Sequence, residues 1–374
     1  KPNMDKLIKS GIAGLVHTIP EGMPAGSDVA NLSVFGFNPK TYYTGRSPLE
    51  AISMGLKLNF DDTALRCNLV TLSNGEPYED RSMVDYSAGE ITTEESTALM
   101  KAVAEGLNRE GISFYPGISY RHCLIWKNGP MDIKLTPPHD ISGKKITGYL
   151  PMGPGYETAL ELMKKSTEIL KNHPVNKSRM ERGLNPANSI WLWGQGKKPE
   201  VPLFIEKYGL CGSVISAVDL IKGIGIASGM KSVNVEGATG NIKTNFKGKA
   251  EAALKELREG RDLVYIHIEA PDECGHQGQL KEKIRSIELI DQDVIDTLLK
   301  GLEGMGDYRL MVLPDHPTPV AIKTHCDDPV PFFIYDSRKP DVVNSEAVYT
   351  EAFTRSTGLV IQEGHTLMDR FLEA

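Results

Sequence analysis

Two stretches of this 374-residue chain place carboxylate and imidazole side chains where an apolar run gives way to a loop. In DLVYIHIEAPDECGH, Asp272 and His276 follow a run at 263–268. In YRLMVLPDHPTPVAIKTHC, Asp315 and His316 follow a run at 309–313, and His325 comes shortly after. Carboxylate oxygen with imidazole nitrogen is the donor set of Zn2+ and Mn2+. Two Asp and three His can supply two divalent ions, a usual device for displacement at phosphorus. A lone Asp-His dipeptide is ordinarily only a loop. Two such loops after consecutive strands, with a third His close by, turn the reading toward metal. His17, His173, His267 and His365 lack that company and are expected to be structural or solvated.

A third segment, GMPAGSDVANLSVFGF, sets Ser27 at the mouth of a helix. Free N–H groups and the helix dipole there favour anionic oxygens, phosphate or a serine alkoxide among them. Serine is also a favoured N-cap, which needs no catalytic role.

The elements that position these residues follow an α/β pattern. A first strand is expected at 15–19, with buried strands at 214–217, 232–235, 263–268, 309–313 and 332–335. Helical periodicity marks 92–107, 156–170, 249–258 and 281–302. In open α/β sheets, ligands bind beyond the carboxyl ends of strands, where both Asp-containing loops fall. The middle of the chain reads as short strands and turns, then a Pro-rich bend. We read 56–199 as a domain inserted into one made of 1–55 and 200–374.

Composition narrows the partners. A net charge of -7 argues against nucleic acid as principal partner. No stretch is apolar enough for a membrane helix. Five scattered cysteines, never as C-x-x-C, fit reduced thiols, and with no apolar leader after Lys-Pro-Asn-Met the cytoplasm is expected.

AGSDVANLSVFGF, EAPDECGHQG and DHPTP followed by His325, in that order, closely resemble the archaeal-type cofactor-independent phosphoglycerate mutases of the alkaline phosphatase superfamily. The likeness extends through PYEDRSMVDYSAGEI, YRHCLIWK, PPHDISG and NPANSIWLWGQG. It implies an alkaline-phosphatase-like doubly wound sheet with a smaller inserted α/β domain. The implied reaction interconverts 3- and 2-phosphoglycerate through a phosphoserine on Ser27. Two divalent ions (Mn2+, or Zn2+ or Mg2+) would serve it, with no 2,3-bisphosphoglycerate. One ion would be held by Asp272, His276 and His325, the other by Asp315, His316 and Ser27. In the family a further Asp comes from an N-terminal strand that this sequence lacks, so the second ion is expected to be weakly held in this chain.

In the inserted domain the resemblance points to Arg121, His139 and Arg182 for substrate anions and to Asp140 for proton transfer. Chemistry agrees, since guanidinium grips phosphate or carboxylate in a two-pronged fashion and a carboxylate can shuttle a hydroxyl proton. The partner is then a small phosphorylated metabolite, and a homo-oligomer is compatible with the sequence. Pro317 in DHPTP, where mutases often carry Ser, keeps a homoserine kinase-like phosphotransferase as the alternative. A metal-dependent phosphomonoesterase uses the same core, and a non-catalytic metal-binding protein comes last.

Overall fold

The computed structural model describes residues 1–75 and 77–373 and is a mixed α/β protein. Its contacts divide the chain into two compact units, Lys1–Tyr43 with Glu200–Ala374, and Thr44–Pro199. The first seam falls earlier than the sequence suggested, because the helix Ser47–Ser53 packs on strands of the middle unit.

In chain order the strands are β1 (Ile12–Val16), β2 (Thr63–Leu72), β3 (Met83–Asp85), β4 (Ile112–Ile118), β5 (Arg121–Trp126), β6 (Ser189–Lys197), β7 (Gly212–Ile215), β8 (Lys231–Val233), β9 (Leu263–Ile266), β10 (Arg309–Val312), β11 (Val330–Asp336) and β12 (Val360–Ile361). In the split unit, β10, β11, β1 and β12 form one sheet in that order, with β11 antiparallel to both β10 and β1. Hence β1 and β10 run the same way and release their chains at the same end. β8, β7 and β9 form a second, parallel sheet. β1 begins earlier than the run at 15–19 suggested, because the apolar β11 pairs with it from Ile12 to Val16. It lies deep: a Cβ on Gly14 would stand 2.5 Å from the carbonyl oxygen of Leu359.

The helix Phe246–Arg258 buries Phe246, Ala250, Ala253 and Leu254, one stripe at helical spacing, against Val294 and Leu298. The long helix expected at 281–302 is helix Leu280–Leu289, a π-helical turn Ile290–Ile295, and helix Asp296–Leu302. In that turn the buried Asp291 accepts from the backbone N–H groups of Asn3 and Met4, at 3.1 and 2.7 Å. Among the described residues, β9 and β10 each pair along one edge only. Both line a largely apolar cavity of about 1390 Å3, together with Met4, Ile295 and Leu298.

The middle unit is built on antiparallel neighbours β6, β2, β5 and β4, with β3 on the end of β2. Leu65, Cys67 and Leu69 of β2 join the core with the helices Thr93–Leu107 and Tyr156–Lys171. Alternation along the strand sends Arg66 and Asn68 to the other face. Among the described residues no helix is long and apolar enough to cross a membrane.

Candidate active site

The helix Ala270–His276 begins just past β9 with Pro271 in its first turn, where a missing N–H costs nothing. Four residues apart on one helical face, Asp272 and His276 come within 3.3 Å. The loop after β10 brings His325 to 3.3 Å from Asp272, and its Nε2 to 2.8 Å from that of His276. What fits between the rings follows from their other nitrogens. Nδ1 of His276 faces the Lys323 carbonyl at 3.0 Å, and Nδ1 of His325 faces the Ala25 carbonyl at 3.3 Å. A carbonyl only accepts, so each Nδ1 carries a proton, and a neutral ring then presents a lone pair at Nε2, whereas a protonated His325 donates from that nitrogen to Asp272. Two lone pairs at that distance, beside a carboxylate, call for a cation between them. The donor set fits a divalent ion, and the carbonyl contacts are of the kind that orient metal-binding imidazoles. Burial alone would raise the Asp272 carboxyl, but hydrogen bonds from His325 and Thr318 bring it down to about 2. Burial likewise works against a charged His325, yet Asp272 outweighs it and lifts that ring above its ordinary value.

Ser27 opens the helix Ser27–Val34, and Gly26 is the N-cap residue, so the serine is not used as a cap. Its Oγ lies 2.9 Å from Nε2 of His316. Asp315 is held on several sides. Oδ2 accepts from Asn31 Nδ2 at 2.7 Å, Oδ1 from the His316 N–H at 3.0 Å, and its carbonyl from the Thr18 hydroxyl at 2.5 Å. Ligand atoms of Asp272, His316 and His325 all lie within 4.8 Å of one another, so both Asp-containing loops feed one cluster. His267 stands at its margin, one residue past β9, and burial pushes its ring down to about 4, which keeps it neutral.

Two residues that sequence reasoning passed over tie the cluster together. Asn31 donates to the Ser27 carbonyl at 2.8 Å as well as to Asp315, and its own oxygen accepts from Tyr265 at 2.6 Å. Asn31 is fully buried one helical turn after Ser27, which the sequence alone does not show. Thr318 donates to Asp272 while Lys283 Nζ holds the Thr318 carbonyl at 2.8 Å.

The middle unit carries the remaining candidates. Arg121 stands over the Tyr120 ring at 5.6 Å, and Tyr120 meets Tyr86 edge-on at 5.8 Å. His139 lies edge-on to Trp193 at 5.2 Å, with Asp140 3.7 Å from its Nε2. Arg66, also passed over, stacks on the other part of this chain of rings, 4.5 Å from the Trp193 centroid, and pairs with Glu50 at 2.9 Å. Arg182 has a different neighbour: it shares Glu95 with the buried Arg179.

A serine beside a converging set of carboxylates and imidazoles, set beyond strand ends, is the kind of side-chain collection that metal-assisted phosphoryl transfer uses. A family model described as 2,3-bisphosphoglycerate-independent phosphoglycerate mutase matches residues 9–176. The protein of that name from Methanosarcina barkeri is 50% identical over 362 residues, 96% of this chain and 89% of its own length. One from Geobacter sulfurreducens, named "Probable 2,3-bisphosphoglycerate-independent phosphoglycerate mutase", is 49% identical over 372 residues, 100% of this chain and 92% of its own. Among solved structures, a Pyrococcus horikoshii protein matches with a TM-score of 0.79 at 29% identity, over 100% of this chain and 89% of that one. The cofactor-independent phosphoglycerate mutase of Thermoplasma acidophilum gives 0.64 at 26%, over 100% and 91%. The chain belongs to the 2,3-bisphosphoglycerate-independent phosphoglycerate mutase family.

Proposed function

We propose that this chain is a cytoplasmic isomerase that interconverts 3- and 2-phosphoglycerate, with Ser27 as nucleophile. The observation that carries the reading is the Ser27 oxygen set 2.9 Å from His316, beside the convergent Asp272, His276 and His325. Ser27 Oγ forms a bond to phosphorus as the bond from phosphorus to the glycerate oxygen breaks. The departing oxygen takes up a proton in place of the one Ser27 gave. The other glycerate hydroxyl then attacks the phosphoserine, loses its proton, and Ser27 is restored. Asp272, His276 and His325 would hold one divalent ion and Asp315, His316 and Ser27 another, Mn2+ foremost, and such ions would supply positive charge beside the serine oxygen and the phosphoryl group. Asn31 fixes both the first turn of the serine helix and the Asp315 carboxylate. To Arg121 and His139 we assign the substrate anions, to Asp140 the proton of the substrate hydroxyl, and to Arg182 support through Glu95.

The paired families of strands support an alkaline-phosphatase-like sheet in the split unit, with 44–199 as the inserted domain. Two open strand edges facing one apolar cavity also support one more strand between β9 and β10, able to bring a further carboxylate to the Asp315 side.

The test is a coupled assay of the Mn2+-supplied chain with 3-phosphoglycerate and no 2,3-bisphosphoglycerate, alongside homoserine with a phosphoryl donor and a simple aryl phosphate. Formation of 2-phosphoglycerate, with a phosphate-sized mass increment trapped on the peptide carrying Ser27, is the expected result. Homoserine phosphorylation without mutase turnover would move the protein to the other branch, and aryl phosphate hydrolysis alone would make it a phosphatase.

A further inference from the structure

His267 is buried beside the cluster yet has no part in the chemistry above. Its surroundings define its proton. Nδ1 lies 3.1 Å from the hydroxyl of Ser216, a residue that is itself buried. The Ser216 oxygen already accepts from the backbone N–H of Val218 at 2.9 Å. That leaves the serine proton to be placed, and the ring nitrogen is the acceptor in reach. A buried hydroxyl proton left without an acceptor forfeits its hydration with nothing in return, so Ser216 donates and Nδ1 accepts. A neutral imidazole has one N–H, which must then sit on Nε2. Nε2 stands 3.5 Å from Glu269 and 3.9 Å from Asp315 Oδ2, the oxygen that also accepts from Asn31.

The backbone of this residue is fixed as firmly. The His267 N–H donates to the Ile215 carbonyl at 2.8 Å, which extends the pairing of β9 with β7. Its carbonyl accepts from Nζ of Lys249 at 3.0 Å, a lysine with no exposed surface, on the helix behind the sheet. Backbone and ring tautomer are both determined by groups outside the reacting centre.

We propose that His267 is a positioning residue: the Ser216 hydroxyl holds its Nε2–H toward Asp315 and Glu269, so that Asp315 keeps its carboxylate turned to the Ser27 side of the site. The functional half of this rests on the reading that Asp315 ligates an ion, whereas the tautomer does not. Outer contacts that orient a ligand typically change metal affinity or activity about 10- to 100-fold when removed. The effect should be confined to the ion that Asp315 serves, leaving the one at Asp272, His276 and His325 unchanged.

The experiment has two arms on the full chain. Nitrogen-15 NMR of histidine-labelled, metal-free protein should show His267 protonated on Nε2, and Ser216→Ala should erode that preference. Protonation on Nδ1 in the parent chain overturns the proposal whatever the metals do. In the second arm, Mn2+ uptake is followed by electron paramagnetic resonance, with turnover and thermal melting alongside. His267→Leu should weaken the second ion about 10-fold or more, whereas His267→Gln, which offers an amide N–H near the Nε2 position, should recover most of it. Ser216→Ala covers the case of a leucine variant that fails to fold, and should show a smaller loss of the same ion in a folded chain. Equal losses in the Leu and Gln variants, or none in either, overturn the proposal. If Asp315→Asn binds Mn2+ like the parent, it is the ligand assignment of Asp315 that fails, and the NMR arm still decides the tautomer.

Discussion

The polar clusters of the two units are built on opposite terms. Around Ser27 and Asp315 nearly every heteroatom has a defined partner, Asn31 and His316 are buried, and the geometry is set by short hydrogen bonds. In the middle unit Arg121, His139 and Asp140 are exposed and joined mainly by ring contacts near 5–6 Å. Bond-making at phosphorus demands atoms fixed within fractions of an ångström, because misplacement forfeits the advantage of proximity. Recognition of an anion tolerates more, since charge attraction falls off slowly with distance. We therefore expect substitutions in the first cluster to abolish chemistry and those in the second to grade it.

The sharpest way to break that contrast is Ser27→Ala. It should cut phosphoryl transfer by about 10^4-fold or more, with the melting temperature little changed. Substantial residual turnover in the coupled assay would remove the covalent step. Asp272→Asn comes next, and should weaken Mn2+ binding by more than about 100-fold, beyond the range of outer contacts. Uptake measured by paramagnetic resonance checks it, and parent-like affinity would dissolve the three-residue site.

The support of the rigid cluster should also respond to pH. Burial pushes the Lys249 ammonium down to about 8. Below that value both folded and unfolded states are charged, and the folded chain bears the full burial penalty. Between about 8 and the ordinary lysine value the unfolded chain binds more protons, so stability rises with pH, by up to about 3 kcal/mol. Urea unfolding across that window should show the rise and Lys249→Met should flatten it. An identical slope in both proteins would place the titration elsewhere.

Effects in the middle unit should be smaller and selective. Asp140→Asn should lower mutase turnover by about 100-fold, within the usual range for a lost proton-transfer group, while release of phosphate from an aryl ester changes far less. Equal losses in the two assays would remove the role of Asp140. Arg66→Met is the mildest: losing its stacking and ion pair should raise KM by about 10-fold with kcat nearly kept. A fall in kcat alone would mean that this region, too, is part of the rigid chemistry.

What could be read from the sequence follows the same divide. The Asp-containing loops were legible because apolar runs announce strands and the ligand types follow at once. That Asp272 and His276 share one helical face emerges only from the structure, since the sequence places both in a loop after a strand. The strand ends were less legible: β1 starts at Ile12 because β11 pairs it there, and pairing partners leave no local mark. Asn31 and Thr318 escaped notice since a buried amide and a threonine look ordinary until their partners, distant in sequence, are in place. Arg66 escaped for a related reason, as only the fold sets Trp193 beneath it. Ser27 was visible, but its position one residue inside the helix, with Gly26 capping, was decided by backbone geometry.

The π-helical turn at Ile290–Ile295 acts as a phase adjuster. One surplus residue in a turn retards everything after it by about 100° relative to an unbroken α-helix. At its end and beyond it, Val294, Leu298 and Leu302 meet the helix Phe246–Arg258, while Ile295 and Leu299 turn to the separate cluster of Met4, Leu7 and Phe333. Excising a single exposed residue such as Gln292 would restore regular winding and swing both stripes off their targets at once. In this segment a one-residue deletion would be far more damaging than most single replacements, so its length is under tighter constraint than its composition.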